Sequence, residues 1–480
     1  VRRSALLLVA FVAVQLPWLD RPVHFDEANF LTLARGAALD AWRPHDIFIN
    51  WQGTRERAFD VLSNPPGIAW LLAPLLDAPL ALQRAWMLLW LPLAAFGAHK
   101  LGRHFWDDGA LGVAVLLSSP IVLISAPSLL PDAPLYALVL AGVGGYVEAV
   151  EARKSGWAWA LLAGTACLFR YSALPIVPLL VVFSWSKQRS PLGALAAAAP
   201  IVLLCAHDLH AYGRLHLLAM SGFQSVANTP LDVAHKLAAA VAMLGGAAAL
   251  PFFRWTRATA VGAALGAGLG APWGAPGALF GALGAATLAT VATRQPRWLA
   301  LWAFGGLLFL LSLRFSAARY WLPFLPGVLL ALRPRWPHVF ASSVLGVLLL
   351  ADEHQQARAE ERLALAVGAL GTGSFTGHWG WQWALEERGW TALDEGATPA
   401  RGTLVATPRQ AWPQPTEAGC KELVWEGAAL PEHSWLPRGY TEEGQANLHA
   451  SWIAGPPRSR TIAPWWFADD AYESARVCRE

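Results

Sequence analysis

The chain reads as a succession of apolar runs separated by short polar joints. A membrane-crossing helix needs about 20 apolar residues, or about 17 at the short end. Runs of this kind, some of them shorter, occupy roughly 4–19, 81–99, 109–127, 133–149, 157–170, 174–186, 191–209, 235–252, 258–271, 276–292, 298–313, 320–332 and 337–351. A further short run at 67–78 reads as interfacial. The pattern predicts an all-α polytopic membrane protein with about 13 transmembrane helices. From about residue 352 the pattern changes. Glu, Arg, Thr, Gly and Pro gather in loop-like clusters, with short strand candidates such as Gly402-Thr403-Leu404-Val405-Ala406-Thr407. A stretch of about 130 residues can bury a core of its own. The expected organisation is a membrane domain over 1–351, with a large first outer loop at 20–66, and a small α/β domain over 352–480.

The polar joints orient this arrangement. Basic pairs stand at Arg2/Arg3, Lys100/Arg103, Arg153/Lys154, Lys187/Arg189, Arg254/Arg257, Arg294/Arg297 and Arg333/Arg335. With the runs above, all of them fall on one side, and the positive-inside rule makes that side the cytoplasm. The N-terminus is then inside. Residues 20–66, Pro131-Asp132, 210–234, the Arg314–Arg319 turn and the tail are outside. The first run lacks a small-x-small cleavage site before Gln15-Leu16-Pro17-Trp18, so it is expected to be a retained span. Val1 is expected to stand for an alternative start codon.

Composition agrees with membrane residence. Only 14% of residues are charged and 55% are hydrophobic, against about 25% charged in soluble domains. The net charge of +3 is small, nucleic acid is not an expected partner, and no P-loop or GxGxxG occurs. The 26 tryptophans suit membrane interfaces and can also offer stacking surfaces to sugars. Cys167 and Cys205 lie in apolar runs and read as core. Cys420 and Cys478 lie in the tail, where a disulfide or two free thiols are both open.

Candidate chemistry gathers on the outer side. Asp26-Glu27, preceded by His24, follows the first span. As a plain structural feature it is a helix start, with Phe30, Leu33, Ala34 and Ala37 forming one face of an amphipathic helix on the membrane. A carboxylate held there can also act as a general base. Ser63-Asn64-Pro65-Pro66-Gly67 reads as a loop-to-helix joint. Leu130-Pro131-Asp132 reads as a cap. Arg314 and Arg319, at an outer junction, either snorkel or bind phosphate through the guanidinium fork. Arg170-Tyr171 has the same two readings. His24, His207 and His210 lack metal-site spacing.

Taken in order, these motifs resemble a family. Asp-Glu opening the first outer loop is followed by Asn-Pro-Pro-Gly, then Leu-Pro-Asp. Ala-Arg-Tyr-Trp-Leu-Pro comes at 318–323, and Gly377-His378-Trp379-Gly380-Trp381-Gln382 in the tail. The series is similar to that of the bacterial relatives of protein O-mannosyltransferases and lipid A aminoarabinose transferases, glycosyltransferases of the GT-C fold. The resemblance implies a sugar donor on a polyprenyl phosphate and a hydroxyl or phosphate acceptor on a protein or lipid. It places the enzyme in the bacterial inner membrane with a periplasmic tail. It implies Asp26 as catalytic base, Glu27 as its support or an acceptor ligand, and Asp132 as a second acid shaping the site. Arg319 would lie near the donor phosphate. Arg170 would stand where relatives often carry lysine, and His24, Asn64 and Tyr320 would contact substrate. Some members of the fold use a divalent cation and many do not. The adjacent Asp26 and Glu27 point apart on a helix and form no ligand set. The rival reading is a transporter or flippase for lipid-linked sugars, to which the Gly/Ala-rich 258–292 region lends most weight. Charges clustered at one face favour the interfacial enzyme.

Overall fold

The structure is a computed structural model that describes residues 1–51, 53–224, 228–248, 255–294, 296–441, 445–455 and 459–480. Arg254, of the pair Arg254/Arg257, and the end of the 235–252 run lie outside the described residues. The chain is mostly helical, with a small sheet near its C-terminus.

Among the described residues five helices are long and apolar enough to cross a membrane: Leu80–Trp106, Asp132–Glu151, Leu192–Tyr212, Pro230–Ala248 and Arg257–Ala292. Helix length and composition therefore do not by themselves return the expected count of thirteen. One predicted apolar run is broken, and other breaks fall at predicted joints. The 109–127 run is two helices, Gly109–Leu117 and Pro120–Ser125, with Pro120 opening the second. The 157–186 stretch carries tight 3-10 turns at Ala166–Leu168 and Tyr171–Ala173, on either side of Arg170. The Gly/Ala-rich region folds back on itself at Ala271–Trp273. Its two arms meet backbone to backbone. A Cβ on Gly266 would lie 2.1 Å from the carbonyl oxygen of Gly281, and one on Gly270 would lie 2.0 Å from that of Gly277. This is the close packing that small residues give apolar helices. It explains the composition by a hairpin.

The last long helix, Trp336–Gly368, begins in the predicted final run and continues well beyond it. Its second half buries Ala359, Leu363, Ala364 and Val367 against Phe375, Trp381 and Val477 of the tail. The tail sheet has five strands in the order Thr391–Ala392, Ser374–Phe375, Leu404–Pro408, Glu473–Arg479, Glu422–Ala429. The first three are parallel, and the last two join antiparallel. Cys420 and Cys478 form a disulfide across this sheet.

The loops expected outside meet one another. Ser316 and Ser451 exchange backbone hydrogen bonds at 3.0 and 2.6 Å, and Ala318 N–H donates to Leu448 at 3.1 Å. Asp394 accepts from the Arg55 backbone at 3.0 Å. Gly380, in the Gly-His-Trp-Gly-Trp-Gln motif, lies so close to the Val23 carbonyl that a Cβ there would be 2.3 Å from it. The tail therefore rests directly on the loop that carries Asp26.

Close helix contacts make a testable contrast. A Cβ on Gly97 would lie 2.2 Å from the backbone of Leu140, whereas Gly268 has nothing within 4 Å. Gly97→Leu is expected to lower the melting temperature of the detergent-solubilised protein markedly, by overpacking worth about 1–3 kcal/mol or more, and Gly268→Leu to leave it nearly unchanged.

Candidate active site

Helix Glu27–Leu39 starts immediately after Asp26, and the residue before it, Phe25, has a left-handed backbone with φ of 44°. Asp26 occupies the cap position without capping: its side chain accepts no bond from the helix N-terminus. The carboxylate instead pairs with Arg319. Arg319 sits in the 3-10 turn Ala318–Trp321 and is buried. Beside Tyr320 a second pair forms. Arg170 Nε lies 3.0 Å from Asp132 Oδ1, and Arg170 Nη2 donates to Oδ2 at 3.2 Å. Both cations lie near the Tyr320 ring, Arg319 Cζ at 5.7 Å and Arg170 Cζ at 5.4 Å from its centroid. Five predicted residues thus come together as two ion pairs sharing one ring.

Cavities open on both sides. One, of about 450 Å³, is lined by Asn64, Arg170, Tyr171 and Tyr320, by the apolar Leu174, Leu217, Met220, Phe309 and Leu313, and by polar residues that include Ser221, Gln224 and Ser312. The other, of about 250 Å³, has Asp26 and Arg319 in its wall with Trp51, Trp379, Trp412 and Trp452. Asn64 and Arg170 share the first cavity with Tyr320, and Arg319 faces the second.

Glu27 lies elsewhere. It is 1% exposed and its two oxygens accept five hydrogen bonds: from Arg21, from Arg84 twice, and from the backbones of His24 and Leu129, at 2.7–3.0 Å. Burial opposes its charge, but Arg84 and Arg21 outweigh burial and hold its pKa at about 2. Arg84 also donates to the carbonyls of Arg21, Pro22 and Pro127. Helix Glu27–Leu39 is buried over most of its surface rather than along one stripe.

His24 turns away from both cavities. Its Nε2 is 3.3 Å from Glu353 and its Nδ1 3.6 Å from Glu360. Burial opposes the imidazolium, yet Glu360 and Glu353 raise its pKa to about 9. Glu353 also meets His449 Nε2 at 2.7 Å, and His449 Nδ1 lies 3.4 Å from Arg319 Nη1. A chain of polar contacts therefore runs from Asp26 through Arg319 and His449 to helix Trp336–Gly368. Among the described residues, His24, Glu353 and His449 are one group with metal-ligand composition, their donor atoms within 4.8 Å of one another. An arginine can only donate, so its contact with Nδ1 leaves the proton of His449 on Nε2, the nitrogen a metal would need.

The sequence offered no signal for His449, Glu353, Trp412 or Trp452, whereas Trp379 belongs to the tail motif. Arg84 did carry one, as a lone cation inside an apolar run.

No family model and no curated protein matches the chain. Among solved structures it is similar to ArnT from Cupriavidus metallidurans. In the form bound to undecaprenyl phosphate the identity is 15% and the TM-score 0.42. In the apo state they are 14% and 0.43. In both, 84% of this chain and 92% of that chain are covered.

Two substitutions separate the adjacent acids. Glu27→Gln leaves Arg84 and Arg21 buried beside a neutral amide and is expected to cost about 3–5 kcal/mol, whereas Asp26→Asn leaves the fold intact; thermal melting of both variants checks this. His24, with a folded pKa raised above its unfolded value, contributes stability that is complete below about pH 6.5 and lost as pH rises through about 9. Wild-type melting temperature should fall across that window more steeply than that of His24→Gln.

Proposed function

We propose that the chain is a membrane glycosyltransferase that moves a sugar from a polyprenyl-phosphate carrier to a protein or lipid acceptor at the outer face of the cytoplasmic membrane. In this reading residues 1–351 are the catalytic membrane domain and 352–480 a periplasmic domain. The observation that carries the reading is the pair of ion pairs about Tyr320, with a cavity on either side. The 450 Å³ cavity combines a cation with apolar lining residues, as a lipid monophosphate requires. Arg170 and Asn64 hold the phosphate there, with the Tyr320 hydroxyl beside them, and the prenyl chain follows Leu174, Leu217 and Phe309.

The acceptor enters from the opposite cavity, and Asp26 stands at the boundary. The acceptor oxygen attacks the anomeric carbon, Asp26 takes its proton, and the bond from that carbon to the phosphate oxygen breaks with inversion. The electron pair leaves on polyprenyl phosphate, whose growing charge Arg170 and Arg319 meet. Glu27 supports catalysis by fixing the loop.

The test uses purified protein and labelled undecaprenyl-phosphate sugar. Asp26→Asn should reduce transfer by about 10²–10⁴-fold at unchanged melting temperature, and full transfer by that variant would sink the mechanism. Arg170→Ala should raise KM for the donor; an unchanged KM would remove the phosphate from that cavity.

A further inference from the structure

We infer that the aromatic cavity between the first outer loop and the tail is a carbohydrate-binding site. The acceptor that it presents to Asp26 is then a pyranose ring with a free hydroxyl. The word acceptor rests on the proposed transfer reaction; the sugar site does not.

The first observation is where the chain is strained. Among the described residues, seven non-glycine residues have a left-handed backbone. Asp107, Arg153, Gln188 and Arg333 are polar and lie just past helix ends, where that turn is ordinary. The other three are Phe25, Trp379 and Trp412, with φ of 44°, 66° and 51°. All three are bulky aromatics, for which this conformation is a genuine outlier, and all three line the same cavity. Strain that the surrounding structure maintains gathers at ligand clamps. Here it aims rings from two distant parts of the chain at one space.

The rings form two walls. Phe25 and Trp379 lie 4.8 Å apart, Trp379 and Trp412 meet at 88°, and Trp412 and Trp452 are near parallel at 29° and 6.4 Å. A neighbouring cavity of about 290 Å³ shares Trp379 and Trp412 and adds Tyr440, Asn447 and Gln410. Both volumes are near the lower end for small-ligand sites, about 300 Å³.

The polar atoms of the walls decide the ligand class. One cavity is walled beside the rings by Asp26, Arg314, Arg319, His378 and His449, and the other by Gln410, Asn447 and His449. Arg319 is paired with Asp26, and Arg314 lies over the rings of Phe223 and Trp452 at 4.6 and 4.4 Å with its Nε unpartnered. An alkyl chain would leave these polar groups unpaired. A pyranose offers apolar C–H faces to the rings and a rim of hydroxyls to the polar groups of both walls.

Saturation-transfer NMR on the full-length protein in a sugar-free detergent tests this without a donor. The probes are the methyl hexopyranosides of glucose, galactose and mannose, with cyclohexanemethanol as apolar control. Ring protons of at least one hexopyranoside should be saturated. The effect should fall at least fivefold in Trp412→Leu and persist in Trp157→Leu, a remote exposed position. Trp412→Gly relieves the left-handed strain, so it should keep the fold, by melting temperature, while losing the sugar. No saturation above background, equal saturation in Trp412→Leu, or preference for cyclohexanemethanol would overturn the site. Sugar binding without transfer from the labelled donor would sink the transferase reading alone. Transfer without sugar binding would sink this inference alone.

Discussion

A carboxylate taken out of water has to be met by cations and N–H donors, and in this protein that carboxylate is Glu27. Meeting it takes Arg84 from a membrane helix, Arg21 from the end of the first span and the Leu129 backbone beside Asp132. One buried charge therefore sews the first outer loop to three parts of the bundle. The pair is weak evidence for stability in itself, because desolvation of all partners offsets the attraction. Its effect is positional. With Glu27 fixed, Asp26 has little freedom, and its carboxylate projects the opposite way, toward Arg319.

The rest of the site is built around that fixed point from pieces that carry no chemistry alone. Arg319 comes from a turn near the last spans, Arg170 from a break between two short helices, Asp132 from the first turn of a long one. The break between the 3-10 turns at Ala166–Leu168 and Tyr171–Ala173 is where Arg170 is presented. The tail supplies the remaining wall. Its docking depends on Gly380, whose missing side chain lets the tail motif touch the Val23 carbonyl, and on the polar contacts that join Arg319 to His449 and Glu353.

Much of the centre was legible in the sequence because charge is rare in this chain. Asp26, Asp132, Arg170 and Arg319 stand out at the ends of apolar runs, and Tyr320 is carried by the same motif as Arg319. The division of labour between Asp26 and Glu27 was not legible. Adjacent residues at a helix start point apart, and only the position of Arg84 says which faces inward. His24 looked like a substrate contact because it sits beside the acids, yet two glutamates from residues 353 and 360 claim it. His449, Trp412 and Trp452 gave no signal, since the tail has neither apolar periodicity nor motif spacing around them. The helix count was blurred by Pro120, where apolar composition continues and the helix does not.

The contact of Gly380 with Val23 has a consequence in time. A chain made from its N-terminus exposes the Asp26 loop early, but Trp379, Gly380 and His449, which cover it, are made only after the helices between. Until then Phe25 lacks the Trp379 ring and Arg319 has no imidazole beside it. Contacts of such long sequence separation form late. The aromatic cavity is therefore completed only when the tail docks.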